Sequence, residues 1–77
     1  MDVTERNEMV VVKVVEVIGN SPKSWEEATK NALEETADTI RNIKSVDIER
    51  FSAKVEKNKI VEYRAVVKIA FIVQREK

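Results

Sequence analysis

An alternating stretch near the C-terminus, IVEYRAVVKIAFIV at residues 60–73, restricts the fold of this chain more than any other segment. Successive side chains of a β-strand point to opposite faces. One face here is apolar or aromatic throughout, and the other is about half apolar: the first carries Val61, Tyr63, Ala65, Val67, Ile69, Phe71 and Val73, the second Ile60, Glu62, Arg64, Val66, Lys68, Ala70 and Ile72. A 77-residue chain can cover the first face but has few residues left for the second. We therefore expect the second face to need a partner.

The chain has the size of one small domain, and a single core of this size is only marginally stable. Small domains are usually stabilised further by disulfides, by a structural metal or by self-association. Cysteine and histidine are both absent, which excludes disulfides and removes the thiolate and imidazole ligands that structural zinc prefers. Self-association remains, and we expect it.

The charges indicate no nucleic-acid or membrane partner. Fourteen Lys and Arg residues balance fourteen Asp and Glu residues, and they are interspersed, so the chain has no basic patch. No apolar run approaches the roughly 20 residues of a membrane helix, and the N-terminus MDVTERNE does not resemble a secretory signal. We expect a cytoplasmic protein with a flexible tail at residues 1–8 and one domain at residues 9–77.

A first strand is predicted at residues 9–18, MVVVKVVEVI. Valine suits a pleated strand because its branched side chain is stiff. Each face carries one charge among apolar residues, which is typical of a strand buried on both sides. The only glycine and the only proline of the chain fall within residues 19–22, and we expect them to end the strand.

A helix is predicted at residues 25–42. The sequence SWEE at residues 24–27 has the form of a capping box, in which the Ser24 hydroxyl accepts from the Glu27 amide and Glu27 reaches back to Ser24. Apolar residues then recur at spacings of three and four, which predicts one apolar face. Much of this face is alanine, so the helix can lie close to a sheet.

Residues 46–56 predict a second strand with an irregularity. The inward parity changes between Ile48 and Phe51, and a β-bulge there is the simplest cause because it inserts one residue. Residues 57–59 predict a tight hairpin, since Asn58 tolerates a left-handed backbone. The alternating stretch is then the third strand.

This order of elements, β-α-β-β, predicts an α+β fold with a three-stranded antiparallel sheet and one helix on one face. A 14-residue strand is about 46 Å long at 3.3 Å per residue. An 18-residue helix covers only about 27 Å at 1.5 Å per residue. The helix cannot cover the sheet, so we expect other copies of the chain to complete it.

Enzymatic activity is not expected. Without His, Cys or a glycine-rich loop, the chain has no catalytic triad, thiolate nucleophile or phosphate-binding loop. No pair of carboxylates is marked out by apolar surroundings. Trp25, the only tryptophan, can stack on a planar ligand, but in the first turn of a helix we favour an anchor in the core or at an interface.

Two charged clusters each allow two interpretations. The acidic helix face is read as a solvated surface or as a weak Ca²⁺ site; it comprises Glu26, Glu27, Glu34, Glu35 and Asp38. Arg64 and Lys68 lie near Glu62 on the second face of the third strand. We favour ion pairs between subunits for them over an anion site.

Three segments resemble the dodecin family in order, length and spacing: VVKVVEVIGNSPKSWEEA, TIRNI and KIVEYRAVVKIAFIV. The resemblance extends over residues 10–73. It implies a hollow homododecamer that stores riboflavin or FMN in pockets between chains. In flavin-binding members, a tryptophan just after the helix stacks on the flavin, and a glutamine on the third strand hydrogen-bonds its edge.

This chain departs from that pattern at both positions. Ser45 stands at the tryptophan position and Arg64 at the glutamine position. Serine offers no π face, and arginine cannot accept a hydrogen bond, so we expect weak flavin binding. The candidate pocket comprises Lys44, Ser45 and Arg64. We expect a small-ligand binding and storage protein; the alternatives are a purely structural shell, or a protein that binds a cation such as Ca²⁺ or an anion.

Overall fold

A computed structural model describes residues 9–75, and these form the predicted order β-α-β-β. The elements are β1 (Met9–Ser21), α1 (Trp25–Ala37), β2 (Ile43–Glu56) and β3 (Lys59–Arg75). The strands pair antiparallel in the order β1-β3-β2, so β3 is the central strand. The predicted tail at residues 1–8 lies outside the described residues, as do residues 76–77 of the predicted domain.

The core lies between α1 and one face of the sheet, here called the inner face. Ala65, Val67 and Ile69 of β3 are buried there against Ala28 and Ala32 of α1. These β3 residues belong to the face predicted to be covered. The opposite face, here called the outer face, has no element packed on it within the described chain.

Gly19 lies inside β1, so the prediction that it ends the strand is wrong. A Cβ atom on Gly19 would overlap the backbone carbonyl oxygen of Ala28 and lie 2.8 Å from the Cβ of Ala32. The glycine is therefore needed because α1 approaches β1 closely. The strand continues to Ser21 before the chain turns into the helix.

The start of α1 matches half of the predicted capping box. Ser24 is the N-cap, and its hydroxyl accepts from the Glu27 amide at 3.0 Å. The reciprocal half is wrong, because the Ser24 amide donates instead to the hydroxyl of Ser21 at 3.4 Å. The Ser21 hydroxyl also accepts from the Lys23 amide at 2.9 Å, so the end of β1 caps the entry to the helix.

α1 ends at Ala37 rather than at the predicted residue 42. The amides of Thr39 and Ile40 both donate to the carbonyl of Thr36, which closes the last turn tightly. Asn42 then adopts a left-handed backbone with φ 64°. The last turn contains no basic residue that would favour the negative end of the helix dipole.

The irregular pairing of β2 agrees with the predicted bulge. The register with β3 shifts between Ile48 and Arg50, within the predicted interval. Two further shifts, at Ile43/Ser45 and Lys54/Val55, were not predicted. In the hairpin that follows, both Lys57 and Asn58 have positive φ angles, 53° and 65°, which matches the turn type that suits twisted strands.

The sheet extends well beyond the helix. β3 has 17 residues, or about 56 Å, whereas α1 has 13 residues, or about 20 Å. The described chain is 59 Å long and only 20 Å by 16 Å across. The mismatch in length is therefore larger than predicted.

Candidate functional site

The three candidate pocket residues are exposed and lie on two strands. Lys44 and Ser45 are at the start of β2, and Arg64 is in β3. Ser45 lies opposite Ala70, six residues along β3 from Arg64, which is about 20 Å. A single chain does not bring Ser45 and Arg64 together, so one ligand can contact both positions only if they come from different copies.

Arg64 is paired within its own chain. Its Nη2 atom lies 3.5 Å from Oε1 of Glu62, two residues away on the same face. Both side chains keep substantial exposure, and an exposed pair of this kind contributes only about 0–1 kcal/mol. Asn20 and Ser52 lie opposite Arg64 on the two neighbouring strands. Arg64 therefore has polar neighbours on both sides and no aromatic face opposite it.

Lys68 lies in a row of charges across the outer face. Its opposite residues are Glu16 on β1 and Asp47 on β2. Directly opposite charges of unlike sign stabilise antiparallel strands, so Lys68 has carboxylates available within the chain. The ion pairs between subunits predicted for Arg64 and Lys68 are not needed to balance their charge.

Val66 lies at the middle of the outer face and is buried there. It is only 4% exposed, although no helix or strand covers it. Ile18 and Arg50 flank it on the neighbouring strands, and long side chains can shield apolar surface with their aliphatic parts while their charges stay in water. In the middle of this face, one buried valine thus lies between the exposed side chains of Ile18 and Arg50.

Trp25 anchors the start of α1 to the sheet. Its ring stacks on Phe51 at 5.7 Å between centroids and meets Tyr63 edge-on at 4.9 Å. Its Nε1 atom donates to the backbone oxygen of Ser52 at 2.8 Å. This agrees with the favoured reading of Trp25 as an anchor, because both the ring and the N–H are engaged within the chain.

The acidic face of α1 does not form a metal site by itself. Glu26, Glu34, Glu35 and Asp38 are exposed. Within residues 9–75, no group of three or more Asp or Glu side chains is placed to hold a metal ion.

One chain leaves many apolar side chains exposed. Among the described residues they are Val10, Val11, Val12, Val14, Ile18, Trp25, Ile48, Phe51, Val55, Ile60 and Val61. Four of them lie at the start of β1, which pairs there with the end of β3. We call this pairing of residues 10–14 with residues 70–74 the N-terminal ribbon.

The N-terminal ribbon corrects one prediction. β1 was expected to be buried on both sides, yet within one chain Val11 on the inner face and Val12 and Val14 on the outer face are exposed. The alternation of valines was read correctly, but β1 is an edge strand rather than the central one. The greater length of the third apolar stretch was the available signal that β3 takes the centre.

No helix within the described part of the chain is long and apolar enough to span a bilayer.

Comparison with known proteins gives consistent matches. The family model described as Dodecin matches residues 11–74. The Calcium dodecin of Mycobacterium tuberculosis is 30% identical over 63 residues, which cover 82% of this chain and 89% of that protein.

Solved dodecins also share the fold. The structure from Streptomyces coelicolor has a TM-score of 0.83 at 21% identity, covering 87% of this chain and 96% of that one. A variant of the Thermus thermophilus dodecin has a TM-score of 0.82 at 24% identity, covering 87% and 100%. The calcium dodecin of M. tuberculosis, described as calcium chelating, has a TM-score of 0.75 at 29% identity, covering 87% and 96%. The chain belongs to the dodecin family.

Proposed function

We propose that copies of this chain assemble into a hollow homododecamer that binds and stores a small ligand between copies and has no catalytic role. The main support is the apolar surface that one chain leaves exposed. It covers both faces of the N-terminal ribbon and continues to Ile18 on the outer face. Membership of the dodecin family supports the same conclusion.

The low stability of the N-terminal ribbon in a single chain argues against a monomer. A two-stranded ribbon is at best marginally stable in water without a further layer. Taking a fully exposed valine or isoleucine to full burial contributes about 1.5–3 kcal/mol. Val10, Val11, Val12 and Val14 of the ribbon are still 39–60% exposed in one chain, so each can contribute about half of this on association. Association of copies therefore supplies the stabilisation that a chain without disulfides lacks.

The positions of the candidate residues support a ligand site between copies. Ser45 and Arg64 are about 20 Å apart in one chain, so only neighbouring chains can line one pocket with both. Riboflavin and FMN are the ligands that the family resemblance implies. Ser45 provides no ring to stack on a flavin, and we expect weak flavin binding.

Calcium is a second candidate for a specific reason. The M. tuberculosis relative is a calcium dodecin, and this chain carries an acidic face on α1. No group of three or more carboxylates is placed to hold an ion within the described part of one chain, and we therefore propose a site shared by carboxylates of neighbouring copies. Ca²⁺ accepts six to eight oxygen ligands in flexible geometry, which suits a shared site.

Native mass spectrometry of the protein purified from its own host tests assembly and ligand together. We expect a dodecamer that carries a retained small molecule or ion. A folded monomer at micromolar concentration would contradict the proposal. An intact shell with no retained ligand, and no heat on titration with riboflavin, FMN or Ca²⁺, would instead support the purely structural alternative. Mg²⁺ is the matched control for Ca²⁺, because it prefers rigid octahedral sites.

A further inference from the structure

The two edges of the sheet differ in their protection against pairing. β2 has three register shifts and six charged residues, and both features discourage pairing with another strand. β1 pairs with β3 without a register shift over its whole length and contains no proline. Its only charged residues are Lys13 and Glu16. A long, regular, apolar edge of this kind is a template for another strand unless something covers it.

The backbone groups that face this free edge can be identified. The Ile72 amide donates to the carbonyl of Asn42, which precedes β2, so the even-numbered residues of β3 direct their backbone groups towards β2. The odd-numbered residues of β3 therefore bond β1, and their partners in β1 are also odd. Even-numbered residues of β1 are left with their N–H and C=O groups on the free edge: Val10, Val12, Val14, Glu16 and Ile18. Asn20 also faces this edge, but its carbonyl accepts from the side chain of Asn31.

We propose that the free edge of β1 pairs antiparallel with β1 of a second copy, forming a six-stranded sheet about a two-fold axis perpendicular to it. This inference rests on the proposed self-assembly, and the free edge of β1 would form one of the contacts between copies. Pairing with β2 of another copy is opposed by the bulges and charges of that edge. A two-fold contact uses the same edge on both copies, so β1 needs no other partner.

The charges of β1 restrict the register. An axis through Lys13 would place that lysine opposite its own counterpart, and an axis through Glu16 would do the same for the carboxylate; like charges directly opposite destabilise a pair. An axis through Val14 or Val15 places every charged residue opposite a valine. With the axis at Val14, the even-numbered residues 10–18 form about ten hydrogen bonds between the copies.

This pairing also gives the N-terminal ribbon a neighbour. With the axis at Val14, Val10 of one copy lies opposite Ile18 of the partner subunit, and Val11 lies opposite Val17 of the partner subunit. Val17 packs against the core under α1. The N-terminal ribbon of each copy therefore lies beside the segment of β1 that α1 covers in the partner subunit. In the six-stranded sheet, the exposed end of one copy is next to the helix-covered end of the other.

Single cysteines test the contact directly, because the chain has none of its own. Val14→Cys and Val15→Cys report on the axes through Val14 and Val15, which lie at the middle of β1 and therefore pair the most residues. Paired residues at an axis have Cα atoms about 4.5–5.5 Å apart, within the range of a disulfide. Ile48→Cys on β2, where the side chain is 50% exposed, is the control for random collision. The readout is the rate of dimer formation on a non-reducing gel in oxidised glutathione, at equal protein concentration.

We expect one β1 variant to lose nearly all of its monomer band while Ile48→Cys keeps most of it, and urea to abolish the difference. If native mass spectrometry shows intact assembly of wild type and variants, but neither β1 cysteine links faster than Ile48→Cys, the β1 contact is wrong and the proposed assembly stands. If the wild type is a monomer, both are wrong.

Discussion

Gly19 is the residue on which the close contact between β1 and α1 depends. A methyl group there would meet the carbonyl of Ala28 and the Cβ of Ala32, and neither can move without shifting the helix. We expect Gly19→Ala to lower the free energy of unfolding by roughly 1–3 kcal/mol, as overpacking does. Urea denaturation followed by circular dichroism measures this, at one protein concentration because self-association adds to apparent stability.

Asn20→Ala is the matched control, since Asn20 is the next residue of the strand and its side chain is exposed. Its backbone oxygen, which accepts from Asn31 at 2.9 Å, is retained in the variant. We expect a change near zero. An equal loss in both variants would mean that the strand, rather than the contact with the helix, is sensitive.

The sequence could not predict this role of Gly19. Together with Pro22 it has the composition of a strand end, and local composition carries no information on which helix will lie above the strand. The alanine-rich face of the helix did predict a close approach to the sheet. The missing step was that Ala28 and Ala32 need a glycine opposite them, which follows only from the tertiary arrangement.

At the scale of elements, the entry to α1 depends on Ser21 more than on the second half of a capping box. The Ser21 hydroxyl accepts from two backbone amides, and the residue is 1% exposed. We expect Ser21→Ala to cost about 1–3 kcal/mol, because two partly buried amides lose their acceptor. Glu27→Ala should cost about 0.3–1 kcal/mol, through the helix dipole alone.

Thermal or urea unfolding of the two variants at equal concentration measures the ranking. Ser24→Ala is a useful reference, because the loss of an N-cap hydroxyl costs about 1 kcal/mol. A larger loss for Glu27→Ala than for Ser21→Ala would mean that the glutamate side chain caps the helix after all.

The hairpin between β2 and β3 has room for improvement. Both central residues are left-handed, and Asn-Gly is the preferred pair for such a turn. Replacing Lys57 by Asn together with Asn58 by Gly should raise the free energy of unfolding by about 1 kcal/mol, because a lysine in this conformation is strained. Urea midpoints report the gain, and Lys59→Asn, which changes charge just outside the turn, is the control. A lower midpoint would show that the turn is not of this type in solution.

Element boundaries were predictable where the chain itself supplies a stop. The parity change in β2 located the bulge, and Asn58 located the hairpin. The end of α1 was not predictable, because Ile40 and Ile43 continue the apolar spacing of the helix. In the structure Ile43 is the first residue of β2 and packs against the core from that strand. Its apolar side chain is therefore partly buried, as the helical spacing suggested, but as part of a strand.

At the scale of the whole molecule, length was the informative quantity. The comparison of strand and helix predicted that the sheet outgrows its helix, and the measured elements increase the difference. The candidate pocket was named only through the family resemblance. Periodicity and composition contain no signal for it, because Lys44, Ser45 and Arg64 are exposed residues of different strands and acquire a common environment only in an assembly.

The pocket should therefore bind flavin only when chains are assembled. Ser45→Trp with Arg64→Gln supplies a stacking ring and an amide that both donates and accepts. Stacking is worth about 1–3 kcal/mol, or roughly a factor of 5 to 150 in Kd. We expect quenching of riboflavin and FMN fluorescence by this variant at concentrations where the wild type leaves it unchanged.

Adding Val12→Asp and Val14→Asp places charges on the most exposed valines of the ribbon, 60% and 56%, and should dissociate the shell. Quenching should then disappear in step with the loss of the assembly in native mass spectrometry. Ser45→Trp alone, with Arg64 kept, separates stacking from hydrogen bonding. Quenching that survives dissociation would mean that one chain holds the flavin by itself, which is incompatible with a separation of about 20 Å along β3.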